Sequence, residues 1–273
     1  MPAPASDLEF LGLDLLDSTR STFVLERQLA RPDGRLYGGT AVAVAVALAE
    51  QATDRAPIWT TVQFVRADTS SGDRIDCTTE VLNSGRRSAQ VRIIGRVGDS
   101  EVFCALAATG EHKRNGVEGV MERFPQVLPP EVSPRYQFRL PIHLAKALGV
   151  NVDVEGAAEF RIAMADEDHD FEEHEVVLWT RVPGHIATPA ILGFLGDLST
   201  IAVVKAAGAT GGGVSLDNTV RFAAPATEGE WVLAQIDPHF AAGGYAHGSV
   251  HLWSETGRFL GTAAQTSQVR VWD

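Results

Sequence analysis

Sliding the sequence against itself by about 157 positions brings one helix-like segment and four strand-like runs into register together, so the chain reads as two copies of one unit. Tyr37-Gly38-Gly39-Thr40 falls on Phe194-Leu195-Gly196-Asp197, and each opens a stretch rich in Ala, Val, Leu and Ile that runs for about three turns. Val62 and Phe64 fall near Val220 and Phe222, and Gly72-Asp73 falls on Gly229-Glu230. Ile75 to Val81 lies beside Trp231 to Ile236, Gly85 lands near Gly243, and Glu101 to Cys104 lands on Arg258 to Gly261. Few residues coincide in identity, but the offset drifts by no more than a residue or two.

Each copy reads as a short strand, one apolar helix, then a run of strands. In the first, Thr22 to Glu26 has the β-branched and aromatic content of a strand. Ala41 to Ala49 is ambiguous, because Val42, Val44 and Val46 alternate as in a strand. Its alanines and the helix formers Leu48 to Ala52 favour helix, and a helix apolar on every side must be buried on every side. Ile58 to Arg66, Arg74 to Leu82, Ser88 to Arg96 and Glu101 to Thr109 are parted by Gly, Asp, Ser and Asn turns, the pattern of an antiparallel meander. The expected class is α+β, with two antiparallel sheets each wrapped around a central helix. The expected units are residues 1–115 and 157–273, joined by a proline-rich connector, 116–156, with one short helix near Leu140 to Leu148.

A chain of 273 residues suits two units of about 130 and can bury a core without disulfides. Lys and Arg number 23 against 35 Asp and Glu, a formal charge of −12 that repels the nucleic-acid backbone, so DNA and RNA are poor partners. Local arginines can still hold a small anion. Cys77 and Cys104 are too few for a disulfide framework and read as reduced core thiols of a cytoplasmic protein. Met1 to Asp7 lacks the basic start and apolar run of a signal peptide, and Ala41 to Ala49 is far short of the roughly 20 residues that span a bilayer, so no membrane span is expected. The acidic run Asp166 to Glu175, with His169 and His174, matches no familiar ligand spacing and reads as a solvated loop. No metal is expected.

Asp197 is the residue most in need of a reason. It stands in an otherwise nearly apolar stretch, Ile191 to Val204, and at helical spacing its neighbours are Gly193, Phe194, Thr200 and Ile201. It lines a cavity, where burial raises its pKa towards that of a useful base, or it caps a helix end. Its counterpart in the first copy is Thr40, so building the fold does not require a carboxylate there. Gln265 alternates with Gly261, Ala263, Val269 and Val271 on a core-facing strand position, opposite about Ala108 in the other copy, and needs a polar partner. Ser215 follows Gly211-Gly212-Gly213 and begins a strand, where a serine is ordinarily a turn residue.

Leu36-Tyr37-Gly38-Gly39, Phe64-Val65-Arg66 with Gly72-Asp73, and Arg87-Ser88-Ala89 stand in the first copy. Leu178-Trp179-Thr180-Arg181, Gly196-Asp197-Leu198, Ser215-Leu216-Asp217, Glu230 to Leu233, and Gln265 with Arg270 stand in the second. In this order the chain resembles the acyl-CoA thioesterase II family, double hot-dog thioesterases, from about Arg31 to Arg270. The resemblance implies hydrolysis of an acyl-CoA, with Asp197, Ser215 and Gln265 matching the family's Asp, Thr or Ser, and Gln. Such a set suits water activation, Asp197 taking or polarising the proton while Ser215 and Gln265 hold the water. The thiolate leaves readily, so neither an acyl-enzyme nor a cofactor is implied.

Gly38 and Gly39 at the helix start, and Arg66 and Arg87 with Arg86 and Arg92, are the candidates for substrate binding. The sequence departs from the family at Asn218-Thr219-Val220, at Ala223-Ala224-Pro225 and in the arginine-free segment Phe240 to Gly248, which weakens the implied grip on CoA. An acyl-CoA-binding module without useful catalysis is therefore the alternative. A hydratase of this fold would want a His shortly after the Asp, where Ala202 and Val203 stand. Two units in one chain mimic a dimer of single units, and a homo-oligomer of double units is compatible with that.

Overall fold

The computed structural model describes residues 6–111, 116, 119–137, 156–163, 176–206, 211–223 and 229–271. Its strands are β1 (Asp14–Leu15), β2 (Arg20–Val24), β3 (Ala56–Phe64), β4 (Arg74–Ser84), β5 (Ser88–Val97), β6 (Ser100–Gly110), β7 (Arg135–Tyr136), β8 (Glu159–Ile162), β9 (Val176–Arg181), β10 (Gly211–Phe222), β11 (Val232–Ala242), β12 (Tyr245–Ser254) and β13 (Phe259–Val271). The helices are α1 (Asp7–Leu11), α2 (Gly38–Thr53), α3 (Pro189–Leu195) and α4 (Ser199–Ala206). The expected helix at 140–148 and the acidic run 166–175 lie outside the described residues.

The two separate sheets expected from the repeat are instead one continuous sheet of 13 strands, in the order β1-β2-β4-β5-β6-β3-β10-β13-β12-β11-β9-β8-β7. The halves join where β3 pairs antiparallel with β10. That pairing satisfies two strand edges that separate sheets would leave open. Read outward from the β3–β10 junction, the two halves run in the same order, β3-β6-β5-β4-β2-β1 and β10-β13-β12-β11-β9-β8, with β7 added at the outer edge of the second. At the centre Thr61 and Thr219, 158 residues apart, stand opposite each other with hydroxyls 2.6 Å apart, so a pseudo-twofold axis passes between them.

α2 runs from Gly38 to Thr53 and is buried from Gly38 to Ala49, on every side as its composition requires. It packs against β3 to β6 and against α3. It ends at Asp54 in a left-handed conformation (φ 51°), whose N–H returns to the Glu50 carbonyl. The second copy departs from the expected single helix. Thr188 caps α3 by accepting the Ile191 N–H at 3.2 Å, Pro189 occupies the first turn, and the helix stops at Gly196 before α4 resumes at Ser199. Asp197 sits in that break.

The main core joins α2 and α3 to the inner face of the sheet. A second cluster, including Trp179, Trp231 and Trp253, lies under the connector, where Trp179 Nε1 donates to the Leu128 carbonyl at 2.7 Å and Phe124 meets Trp253 edge-on. Cys77 and Cys104 are free, and burial pushes the Cys77 thiol up to about 12. Among the described residues, no helix is long and apolar enough to cross a membrane.

α1 docks through Asp7, which accepts from Thr188 Oγ1 at 2.7 Å beside Glu50, at a cavity of about 430 Å³. Burial, then the charge of Asp7, push the Glu50 carboxyl up to about 7. A carboxyl raised in the folded state stabilises the fold while protonated, and that contribution is lost as pH rises from the ordinary glutamate range through about 7. Glu50→Gln is therefore expected to raise Tm at pH 8 by about 4 °C and to leave it unchanged at pH 5, read by circular dichroism melts. Equal shifts at both pH values would remove the titration as the cause.

Candidate active site

Asp197, Ser215 and Gln265, far apart in sequence, meet in one hydrogen-bonded cluster. Gln265 Nε2 donates to Asp197 Oδ1 and to Ser215 Oγ, the latter at 2.6 Å. Asn218 Nδ2 donates to the same Oδ1 at 3.0 Å, and the Gly39 N–H donates to Oδ2 at 2.9 Å. The carboxylate thus joins the α3–α4 break to the start of α2 in the other half of the sheet. A helix N-terminus is a favourable place for a negative charge.

Three local features build this meeting. Gly38 leaves room for the carboxylate: a Cβ there would lie 2.6 Å from Asp197 Oδ2 and 2.9 Å from Phe64 Cζ. The Tyr37 hydroxyl lies 3.1 Å from the carbonyls of both Phe194 and Asp197 and so pins the break itself. In β10 a bulge falls between Ser215 and Asp217, where the pairing passes from Ser215–Ser267 to Asp217–Thr266. The bulge takes up Leu216, which is exposed, and restores the inward phase so that Ser215 and Asn218 face the side on which Gln265 and Ser267 are buried.

Burial raises the pKa of Asp197 above the ordinary aspartate range, against the lowering pull of the Asn218 amide, the Gly39 N–H, the charge of Arg31 and the Gln265 amide. Oδ1 already takes two donors and Oδ2 takes one, which leaves Oδ2 the less saturated oxygen and the natural acceptor of a water proton. Both Gln265 N–H groups are committed, and its Oε1 accepts from Ser199 Oγ at 2.9 Å. Gln265 here orients Asp197 and Ser215 rather than offering a donor of its own to water. The Ser215 hydroxyl, accepting from Gln265, still has its own proton to give.

The substrate-binding candidates fare differently. Gly38 and Gly39 lie in the cluster, where the Gly39 N–H serves Asp197. Arg66 lies at the same end of the sheet, with its guanidinium on Asp68 and on Ser100 Oγ. Arg87 lies in the β4–β5 turn at the opposite end, its carbonyl accepting from Glu111, and β3 alone separates the two ends by about 26 Å. Arg66 and Arg87 therefore form no single patch. Arg92 is paired with Glu80.

Sequence reasoning missed Asn218, Ser199 and Arg31. Asn218 stands two core-facing positions from Phe222 on an alternating strand, as polar and as out of place as Gln265, and that was a readable signal. Arg31 carries the positive charge felt at Asp197 and donates to the Gly213 carbonyl at 3.4 Å, a contact across 182 residues that no local pattern announces.

Comparison with known proteins places the fold in the hot-dog class. A hot-dog-fold protein of Alicyclobacillus acidocaldarius superposes with a TM-score of 0.78 at 17% identity, covering 99% of this chain and 100% of that one. An acyl-CoA thioesterase II of Mycobacterium marinum does so at 0.72 and 17% identity, covering 98% and 99%. A protein of Novosphingobium aromaticivorans assigned as a thioesterase is 30% identical, with a TM-score of 0.79 and coverage of 94% and 97%. The acyl-CoA thioesterase N-terminal domain family matches residues 28–110 and the C-terminal domain family residues 130–269. No curated protein matches the chain. The chain belongs to the acyl-CoA thioesterase II family.

Proposed function

We propose that the protein hydrolyses an acyl-CoA thioester to the free acid and CoA, using one site per chain built from its two units, 1–115 and 157–273, across the connector 116–156. The observation that carries this is the junction of Asp197, Gln265 and Ser215. A water beside Asp197 Oδ2 gives up a proton to that oxygen as its own oxygen attacks the thioester carbonyl carbon. The tetrahedral adduct collapses with cleavage of the C–S bond, and the proton passes on to the departing thiolate. Ser215, with its proton free, orients the water or the carbonyl oxygen, and Gln265 holds Ser215 and Asp197 in register. The first copy offers Thr40, Pro57 and about Ala108 at the corresponding places, a set without a base.

Release of free thiol from acyl-CoA esters of graded chain length tests the reading. Turnover that saturates with at least one ester and rises with pH through a pKa above the ordinary aspartate range is expected, because the base works only when ionised. No release from any ester would sink it. Tight acyl-CoA binding without release would instead favour a binding module, a reading to which the engagement of Arg66 by Asp68 lends weight.

A further inference from the structure

We propose that Ser199 is a positioning residue for this reaction, whose hydroxyl fixes which end of the Gln265 amide faces Asp197 and Ser215. The inference rests on the hydrolytic reading above. Ser199 opens α4, is 1% exposed, and donates to Gln265 Oε1 at 2.9 Å, while Gln265 itself is 3% exposed. Thr200, the next residue, bonds Ser267 Oγ, so the first turn of α4 is stitched to β13 at two successive inward positions.

An amide presents two hydrogens at one end and only lone pairs at the other. Asp197 Oδ1, as an ionised acceptor, requires the nitrogen, and the Ser199 proton gives the oxygen its partner. Turned over, the amide would set Oε1 against the carboxylate and leave Ser215 without its donor. Without the Ser199 hydroxyl, Oε1 is a buried acceptor lacking its partner, and the amide is no longer held to one orientation. The local build supports a dedicated contact. Gly248, paired with Gln265 across the β12–β13 ladder, lets α4 sit close to the sheet, since a Cβ there would lie 3.1 Å from Ser199 Cβ and 3.0 Å from Val203 Cγ2.

The test is a double-mutant cycle of Ser199→Ala and Gln265→Ala, with kcat and KM followed across pH at a temperature where circular dichroism shows every variant folded. Ser199→Ala is expected to lower kcat by about tenfold or more with KM within twofold. Its acid limb moves to higher pH, because Asp197 loses a steady donor. The double variant is expected to be no worse than Gln265→Ala, and Ser199→Thr, which keeps the hydroxyl, to restore the acid limb. Losses that multiply in the double variant, or a fall in kcat with an unmoved acid limb, would overturn the role of Ser199. If Gln265→Ala itself leaves kcat and the acid limb unchanged, it is the hydrolytic reading of the cluster that fails instead.

Discussion

Asp197→Asn is expected to lower kcat for thioester hydrolysis by about a thousandfold, within the range a positioned general base contributes. The two side chains are nearly isosteric, so the amide oxygen can still accept from Asn218 and Gln265 at the Oδ1 position. At the Oδ2 position the new NH₂ group faces the Gly39 N–H, donor against donor, and no lone pair is left there for the water proton. The stability change is the smaller effect, because one lost hydrogen bond is offset by relief from burying a charge. Turnover by free-thiol release and melting by circular dichroism read the two effects separately. The residual activity should also lack the acid limb that Asp197 imposes on the parent. A variant within tenfold of the parent would show that the carboxylate is not the base.

The second large effect contrasts two adjacent glycines. A Cβ at Gly39 would run into the backbone carbonyl oxygen of Phe194 and lie 2.5 Å from Tyr37 Cε1, and the Tyr37 ring is held edge-on against Phe194 with its hydroxyl bonded. Nothing there can turn aside, so α2 must shift away from α3. Gly39→Ala is expected to cost about 3 kcal/mol and to lower Tm by about 8 °C. Gly38→Ala instead meets the ends of two side chains, Asp197 Oδ2 and Phe64 Cζ. They can rotate, so most of the fold's stability survives while the carboxylate leaves its place, and kcat falls by about a hundredfold. Variants that both melt and turn over as the parent does would refute the close approach of α2 to the α3–α4 break.

Much of the fold was legible because burial writes a period into the chain. The strands expected at 58–66, 74–82, 88–96 and 101–109 are found at Ala56–Phe64, Arg74–Ser84, Ser88–Val97 and Ser100–Gly110, each bounded by the turn residues that stop a ladder. The valine alternation in α2 mimicked a strand, and helix won because the segment is enclosed on all sides, where periodicity carries no information. Asp197 and Gln265 were legible as polar residues in apolar surroundings. Ser215 was not, on local grounds. Simple alternation back from Asn218 would turn Leu216 inward, and the bulge that exchanges Leu216 for Ser215 is a property of the pairing with β13. The spacing of the arginines was hidden for a related reason: it depends on which end of β3 each one flanks.

The amino-acid order by itself determined the duplicated plan, the buried helix, the strand boundaries and the asymmetry between a polar second copy and an apolar first. These follow from hydrophobic spacing and turn chemistry, which act over a few residues. Tertiary structure alone decided that the halves share one sheet through β3 and β10, that Asp197 lies in a helix break against Gly38 and Gly39, and that Ser199 and Asn218 complete the cluster. Those outcomes depend on strand register and on how closely backbones approach, quantities set only when segments some 160 residues apart in sequence pack together.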